Sequence, residues 1–246
     1  MELQVKKILS HLACYLVLLA ISPAVASTTV VLVGDSTVET YAPDRTLRGW
    51  GQILQAWAKP GVVVRNHAVS GTSSKSFRDL GLWAKALQEK PAYVFIQFGH
   101  NDIGPAPDRH TDPETTYRQN LLQYIDEARA AGAMPILVTP PVRRVYKDGK
   151  LVHERLRPYV EEMKAVGAEK HVPVIPLYDD SFAYYASLSQ EEAQRKVAPA
   201  DGDPVHFNEA GASLLAADLL AQLSREEPRA AALFSPPATT HPNDAK

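Results

Sequence analysis

Cysteine is almost absent from this chain of 246 residues; Cys14 is the only one. A single cysteine cannot close an internal disulfide or build a thiolate metal cluster. An excess of one charge is missing too. The net charge is −2, and residues of both signs are interspersed. No clustered Lys and Arg surface of the kind nucleic acid requires is present. The apolar run from Leu12 to Ile21 is too short to cross a bilayer as a helix. No H-E-x-x-H pair occurs, which removes the helical zinc-hydrolase signature. No internal repeat or composition shift marks a second domain, and the hydrophobic content of 45% suits one sizeable core.

The amino terminus reads as an export signal over residues 1–26. Lys6 and Lys7 precede the apolar run, Pro23 breaks it, and Ala24-Val25-Ala26 offers small residues for cleavage. Cleavage after Ala26 leaves a chain without cysteine. That suits export to an oxidising compartment, periplasmic or secreted, since no thiol can mispair. No stable membrane insertion of the mature chain is expected. The domain is expected over 27–224. Residues 225–246 are rich in Pro, Ala and Thr without periodicity, and read as a disordered tail.

Between these ends, Val30-Val31-Leu32-Val33 runs into Gly34-Asp35-Ser36-Thr37. A short unbroken apolar run suits a strand buried on both faces of a parallel sheet. Further strands are predicted at 62–64, 93–98, 135–139 and 174–177. Helices are predicted at 52–57, 77–90, 112–131, 153–170, 179–188, 190–197 and 208–223. The alternation predicts a five-stranded parallel sheet in a three-layer α/β/α sandwich. Ligands of such sheets bind at the carboxyl ends of the strands. Three polar loops follow strands there and carry Ser36, Gly71 and Asn101. A fourth loop brings Asp203 and His206 just before the last helix.

Each residue fits one part of an acyl-transfer site. Serine needs a base, and His206 is the residue type that works near neutral pH. Asp203, three residues earlier, can hold one ring nitrogen while the other faces Ser36. The N–H groups of Ser36 and Gly71, with the Asn101 amide, can form an oxyanion hole. Singly, each has a plainer reading: a capping serine, a turn glycine, an asparagine satisfying loop backbone, a core histidine bonded to Asp203.

In this order the blocks Gly34-Asp35-Ser36-Thr37, Asn66 to Gly71, Gly99-His100-Asn101-Asp102 and Asp203-Pro204-Val205-His206 resemble the SGNH, or GDSL-like, hydrolases. The resemblance spans about residues 29–223. It implies a flavodoxin-like fold, a nucleophile at Ser36, oxyanion groups at Gly71 and Asn101, an Asp203–His206 pair, and no cofactor. The stretch Asn66 to Phe77, with Phe98 to Asp102, is similar to the rhamnogalacturonan acetylesterase branch, which deacetylates pectin. The basic loop 143–150 and the tail have no family role.

The expected partner is therefore an acetylated polysaccharide or another ester. Small polar loops (Thr72-Ser73-Ser74, Gly104-Pro105) suit a short acyl group in a wet cleft. Lys75, Arg78, Arg143 and Arg144 are candidates to meet a galacturonate carboxylate. Rival readings are a lysophospholipase or thioesterase, a xylan acetylesterase, or a metal-dependent hydrolase on His100, Asp102, Asp201, Asp203 and His206. A non-catalytic glycan-binding module using Trp50, Tyr184 and Tyr185 is a further rival. Oligomeric state is left open.

Overall fold

The computed structural model describes residues 27–153, 155–200 and 202–237. The expected export signal at 1–26 and the last residues of the expected tail lie outside them. Strand β1 (Thr28–Val33) is the centre of the sheet's construction. Its last four residues, Val30 to Val33, have no exposed surface. An element covered on both faces has no polar side to show, which is why the run reads as unbroken. β1 pairs in parallel with β2 (Val62–Asn66) on one side and with β3 (Tyr93–Ile96) on the other. β4 (Met134–Val138) and β7 (Val174–Ile175) continue the parallel sheet beyond β3. The order is β2-β1-β3-β4-β7.

The chain therefore leaves β1 toward one edge of the sheet and leaves β3 toward the other. This reversal opens a crevice at the carboxyl ends of β1 and β3. On one face α1 (Trp50–Ala56) packs against the long α8 (Glu209–Glu226), which also meets α6 (Leu177–Ala186) and α7 (Gln190–Val197). On the other face α4 (Arg118–Ala130) packs against α5 (Arg157–Lys170). Trp83 of α3 (Leu82–Leu87) meets Tyr124 of α4 edge to face at 4.8 Å. The architecture is the expected three-layer sandwich.

Local chemistry accounts for the departures. The helix expected over 77–90 is two pieces, α2 (Ser76–Asp79) and α3, because Gly81 turns left-handed between them at φ +71°. The helix expected from 112 begins with a π-helical turn, Pro113–Tyr117, capped by Asp112, whose Oδ1 accepts from the N–H groups of Glu114 and Thr115. The helix expected from 153 begins only at Arg157. Pro158 is tolerated in a first turn and not inside a helix. The basic loop 143–150 closes into a small hairpin, β5 (Tyr146–Lys147) and β6 (Lys150–Leu151). Asp148 and Gly149 between them have φ +50° and +74°, the two positive values a tight hairpin turn needs.

The tail expected to be disordered is ordered through the described residues. α8 continues to Glu226, and α9 (Pro228–Ala231) follows at once. The chain then runs along the end of α1. Lys59 N–H donates to Leu233 O at 3.0 Å and Ser235 N–H to Trp57 O at 2.8 Å. Phe234 is 4% exposed. Leu233 and Phe234 follow a run of alanines and make no periodic signal, yet they bury enough surface to dock the segment.

Phe234→Ala is expected to lower the stability of the fold by about 3 kcal/mol. Urea unfolding should show a lower midpoint with unchanged slope. An unchanged midpoint would mean that this segment does not contribute to the core.

Candidate active site

The turn after β1 is built by its own side chains. Asp35 Oδ1 accepts from Thr37 N–H at 2.9 Å and from Thr37 Oγ1 at 2.7 Å. Thr37 Oγ1 accepts in turn from Gln97 Nε2 at 2.6 Å, and Gln97 Oε1 accepts from Trp50 Nε1 at 2.7 Å. All four residues are buried. The indole can only donate, so it fixes which end of the Gln97 amide faces Thr37, and the threonine hydroxyl is left to donate to Asp35. Gly34 makes the close approach possible. A Cβ there would stand 2.6 Å from Val38 Cγ2 and 2.8 Å from the Gln97 carbonyl. Ser36 lies between the two halves of this turn, 8% exposed.

Ser36 Oγ is 2.9 Å from His206 Nε2, and His206 Nδ1 is 2.9 Å from Asp203 Oδ2. Asp203 Oδ1 accepts from the N–H groups of Val205 and His206 at 2.8 and 2.9 Å. Burial alone would raise the Asp203 carboxyl. These two N–H groups and the imidazole outweigh it and hold the group below its ordinary value. The Asp203–His206 loop is tied down from three sides. Arg48 N–H donates to Phe207 O at 2.8 Å. Asn208 caps α8 through Gly211 N–H and reaches back to the carbonyls of Lys196 and Ala198.

The third tie is Arg144, and here the sequence expectation is corrected. Arg144, expected to meet a substrate carboxylate, is turned into the protein. Its side chain is buried between the rings of Phe207 and Tyr185, at 5.0 and 5.6 Å. One terminal nitrogen donates to the carbonyls of Asp203 at 2.9 Å and His206 at 2.5 Å, and its backbone N–H donates to Pro204 O. Carbonyl recognition by a buried arginine leaves no pattern in a sequence, so only the geometry reveals it.

The Gly71 and Asn101 loops meet at Thr72. Asn101 Nδ2 donates to Thr72 O at 2.9 Å, and Thr72 Oγ1 donates to the Gly34 carbonyl at 3.2 Å. Gly71 adopts φ +77°, which glycine alone tolerates well. Among the described residues, no hydrogen bond engages the backbone N–H of Ser36 or of Gly71. Tyr41 bridges the same region, donating to Ser36 O at 2.7 Å with its hydroxyl 3.3 Å from Ser70 Oγ. Thr72, Ser73 and Ser74 do not line a wet cleft as expected; all three are buried. Ser74 instead donates through N–H and Oγ to the buried Asp102, which also accepts from Thr111.

Two more expected substrate ligands are engaged elsewhere. Arg78 forms a two-bond pair with Glu127 and lies over the Tyr124 ring. Lys75 donates to the carbonyls of Pro107 and Asp108 and pairs with Asp79. Arg143 stays half-buried on the hairpin side, near His100. Burial, with Arg143, His206 and Arg144 nearby, pushes the His100 imidazole down to about 3, so it is neutral. Among the described residues no three His, Asp or Glu side chains converge as a metal site; Asp201 lies outside them. Trp50 and Tyr185, offered as exposed sugar platforms, are fully buried. Sequence reasoning missed Arg109, whose guanidinium donates to Gly71 O at 3.3 Å. It also missed Tyr41, since neither lies in a recognised block.

Comparison with known proteins finds a match to the GDSL-like Lipase/Acylhydrolase family over residues 32–214. The chain is 37% identical over 192 residues to the Bacillus subtilis protein named "Probable rhamnogalacturonan acetylesterase YesY", covering 76% of this chain and 88% of the relative. It is 37% identical over 198 residues to rhamnogalacturonan acetylesterase RhgT of Bacillus subtilis, covering 74% and 84%. The crystal structure of YXIM from Bacillus subtilis superposes with TM-score 0.69 at 28% identity, over 85% of this chain and 58% of that one. Axe2, an acetylxylan esterase from Geobacillus stearothermophilus, shares the fold with TM-score 0.64 at 19% identity, over 80% and 95%.

Burial raises the Asp35 carboxyl to about 6, against the opposing bonds from Thr37. A carboxyl that holds its proton more tightly when folded stabilises the fold below its unfolded value, near pH 4. That stabilisation is lost as pH rises through about 6. Asp35→Asn keeps an oxygen for Thr37 and removes the charge. Between pH 4 and pH 7 the parent protein is expected to lose more stability than this variant, by on the order of 2 kcal/mol. Parallel stability curves would show that Asp35 is not raised.

Proposed function

The chain belongs to the GDSL-like lipase/acylhydrolase family, and on that premise we propose that it removes acetyl groups from a pectin backbone, acetylated rhamnogalacturonan, with Ser36 as nucleophile. It is a carboxylic ester hydrolase of the acetylesterase kind, like its relatives. The observation that carries the assignment of roles is the unbroken line from Ser36 Oγ to His206 to Asp203 at 2.9 Å per step.

Ser36 Oγ attacks the ester carbonyl as His206 Nε2 takes its proton. Asp203 keeps Nδ1–H toward itself, so Nε2 is the free base, and it stabilises the imidazolium that forms. The carbonyl oxygen becomes an oxyanion held by the N–H groups of Ser36 and Gly71 and by the Asn101 amide. Asn101 uses one amide hydrogen on Thr72 O and keeps the other for this task. The tetrahedral adduct collapses, and His206 gives its proton to the departing sugar hydroxyl. The acetyl group stays on Ser36. Water then attacks, His206 takes its proton and returns it to Ser36 as acetate leaves.

The substrate reading is supported by the names and coverage of the two 37% identical relatives. Export is part of the proposal, because pectin is extracellular; amino-terminal sequencing of exported protein should begin at Ser27. A panel of acetylated rhamnogalacturonan, acetylated xylan and a lysophospholipid, at equal ester concentration, tests the substrate. Acetate release should be fastest from the first. Preference for the lysophospholipid would overturn the polysaccharide reading and leave the Ser36 mechanism standing.

Ser36→Ala is expected to lower turnover on an aryl acetate by several orders of magnitude without loss of fold. Asn101→Ala should lower it about a hundred- to a thousandfold. Arg144→Met keeps the packed stem and removes the donors to Asp203 and His206. Its turnover should fall about ten- to a hundredfold with KM little changed, because the base is displaced and the ester is still bound. Unchanged turnover in Arg144→Met would show that the loop holds its position without the clamp.

A further inference from the structure

We propose that Arg109 is the specificity-determining side chain of this site and receives a carboxylate of the sugar chain that bears the acetyl group. The inference rests on the acetylesterase reading above and names the chemistry by which the enzyme would select an acidic backbone.

Arg109 stands on the loop between Asn101 and Asp112, and that loop is firmly built. The N–H groups of Arg109 and His110 both donate to Ala106 O, at 2.9 and 2.8 Å. Thr111 donates through N–H to Asp102 O and through Oγ1 to Asp102 Oδ1. Arg155 donates to Ile103 O, and Lys75 to Pro107 O and Asp108 O. Lys75, expected to meet substrate, thus joins Arg155 in holding this loop in place, and Arg109 is what the loop presents.

Its guanidinium lies over Gly71. One terminal nitrogen donates to Gly71 O at 3.3 Å and would be 3.6 Å from a Cβ at that glycine. The peptide N–H of the same residue is the proposed oxyanion donor. A group bound at Arg109 is therefore a neighbour of the reacting ester. The side chain is 40% exposed, and its ion pair is a loose one at 3.9 Å with Asp108, itself 75% exposed. Arg78 and Arg118, by contrast, are closed onto Glu127 and onto Glu162 and Glu169. A guanidinium has five N–H donors in a planar fork, and one of them is used on Gly71 O. The rest can take both oxygens of a carboxylate, a geometry that a hydroxyl or an apolar chain cannot match.

The test compares kcat/KM of the parent protein and Arg109→Gln on three esters: acetylated rhamnogalacturonan, the same polymer with its carboxylates methyl-esterified, and 4-nitrophenyl acetate. Any loss on the aryl ester measures the contact with Gly71. The loss on the acidic polymer should exceed it by at least about tenfold. The excess should vanish on the methyl-esterified polymer, where the parent protein itself should be slower. Equal losses on all three esters would overturn the proposal and make Arg109 a positioning residue for Gly71. No loss on any would make it a surface charge. A parent protein that leaves polysaccharide acetate untouched fails the substrate reading itself, which is seen without the variant.

Discussion

One buried, directional chain of hydrogen bonds sets the site: Trp50 donates to Gln97, Gln97 to Thr37, Thr37 to Asp35. It joins the start of α1, the end of β3 and the turn after β1. Each link has a single possible sense, because it begins at a group that can only donate and ends at a carboxyl. Buried polar groups are costly when unpaired, so a misplaced turn would expose several deficits at once. Ser36 takes its position from this chain and from Tyr41, which donates to its carbonyl. The raised Asp35 carboxyl is the cost of ending such a chain in the interior.

Around that fixed point the reactive groups are held through backbone carbonyls. Asn101 and Arg109 grip the carbonyls of Thr72 and Gly71, Tyr41 grips that of Ser36, and Arg144 grips those of Asp203 and His206. Engaging carbonyls leaves the neighbouring N–H groups available, which is what stabilisation of a developing oxyanion requires. The same economy is seen in Arg48 and Arg144, whose guanidinium groups donate to loop carbonyls. They act on main-chain loops that have no regular structure to fix them.

The sheet, the five strands and the positions of Ser36, Gly71, Asn101, Asp203 and His206 were legible because each leaves a local signal: a run, a turn, an order along the chain. The contacts of Arg78, Lys75 and Arg144 were not legible, because a basic residue looks the same in sequence whether it faces Glu127, a loop carbonyl or a substrate. Asp148-Gly149 carries a hairpin signal, set within a stretch dominated by basic residues. Phe234 was missed for the opposite reason, since one docking aromatic has no period. Arg109 and Tyr41 lie in loops between the recognisable blocks, where only three-dimensional closeness reveals them.

His206 stands 170 residues from Ser36 along the chain. In a chain made from its amino end, the nucleophile turn can be complete while the base is still unmade. The parallel strands, from Thr28 to Ile175, all precede the Asp203–His206 loop, which leads into α8, the helix packed against α1. With the roles proposed above, ester cleavage needs the chain through α8 and not the sheet alone. A nascent or clipped chain would carry a well-formed but chemically silent serine. Recovery of activity during refolding would time the seating of α8, while backbone signals time the rest.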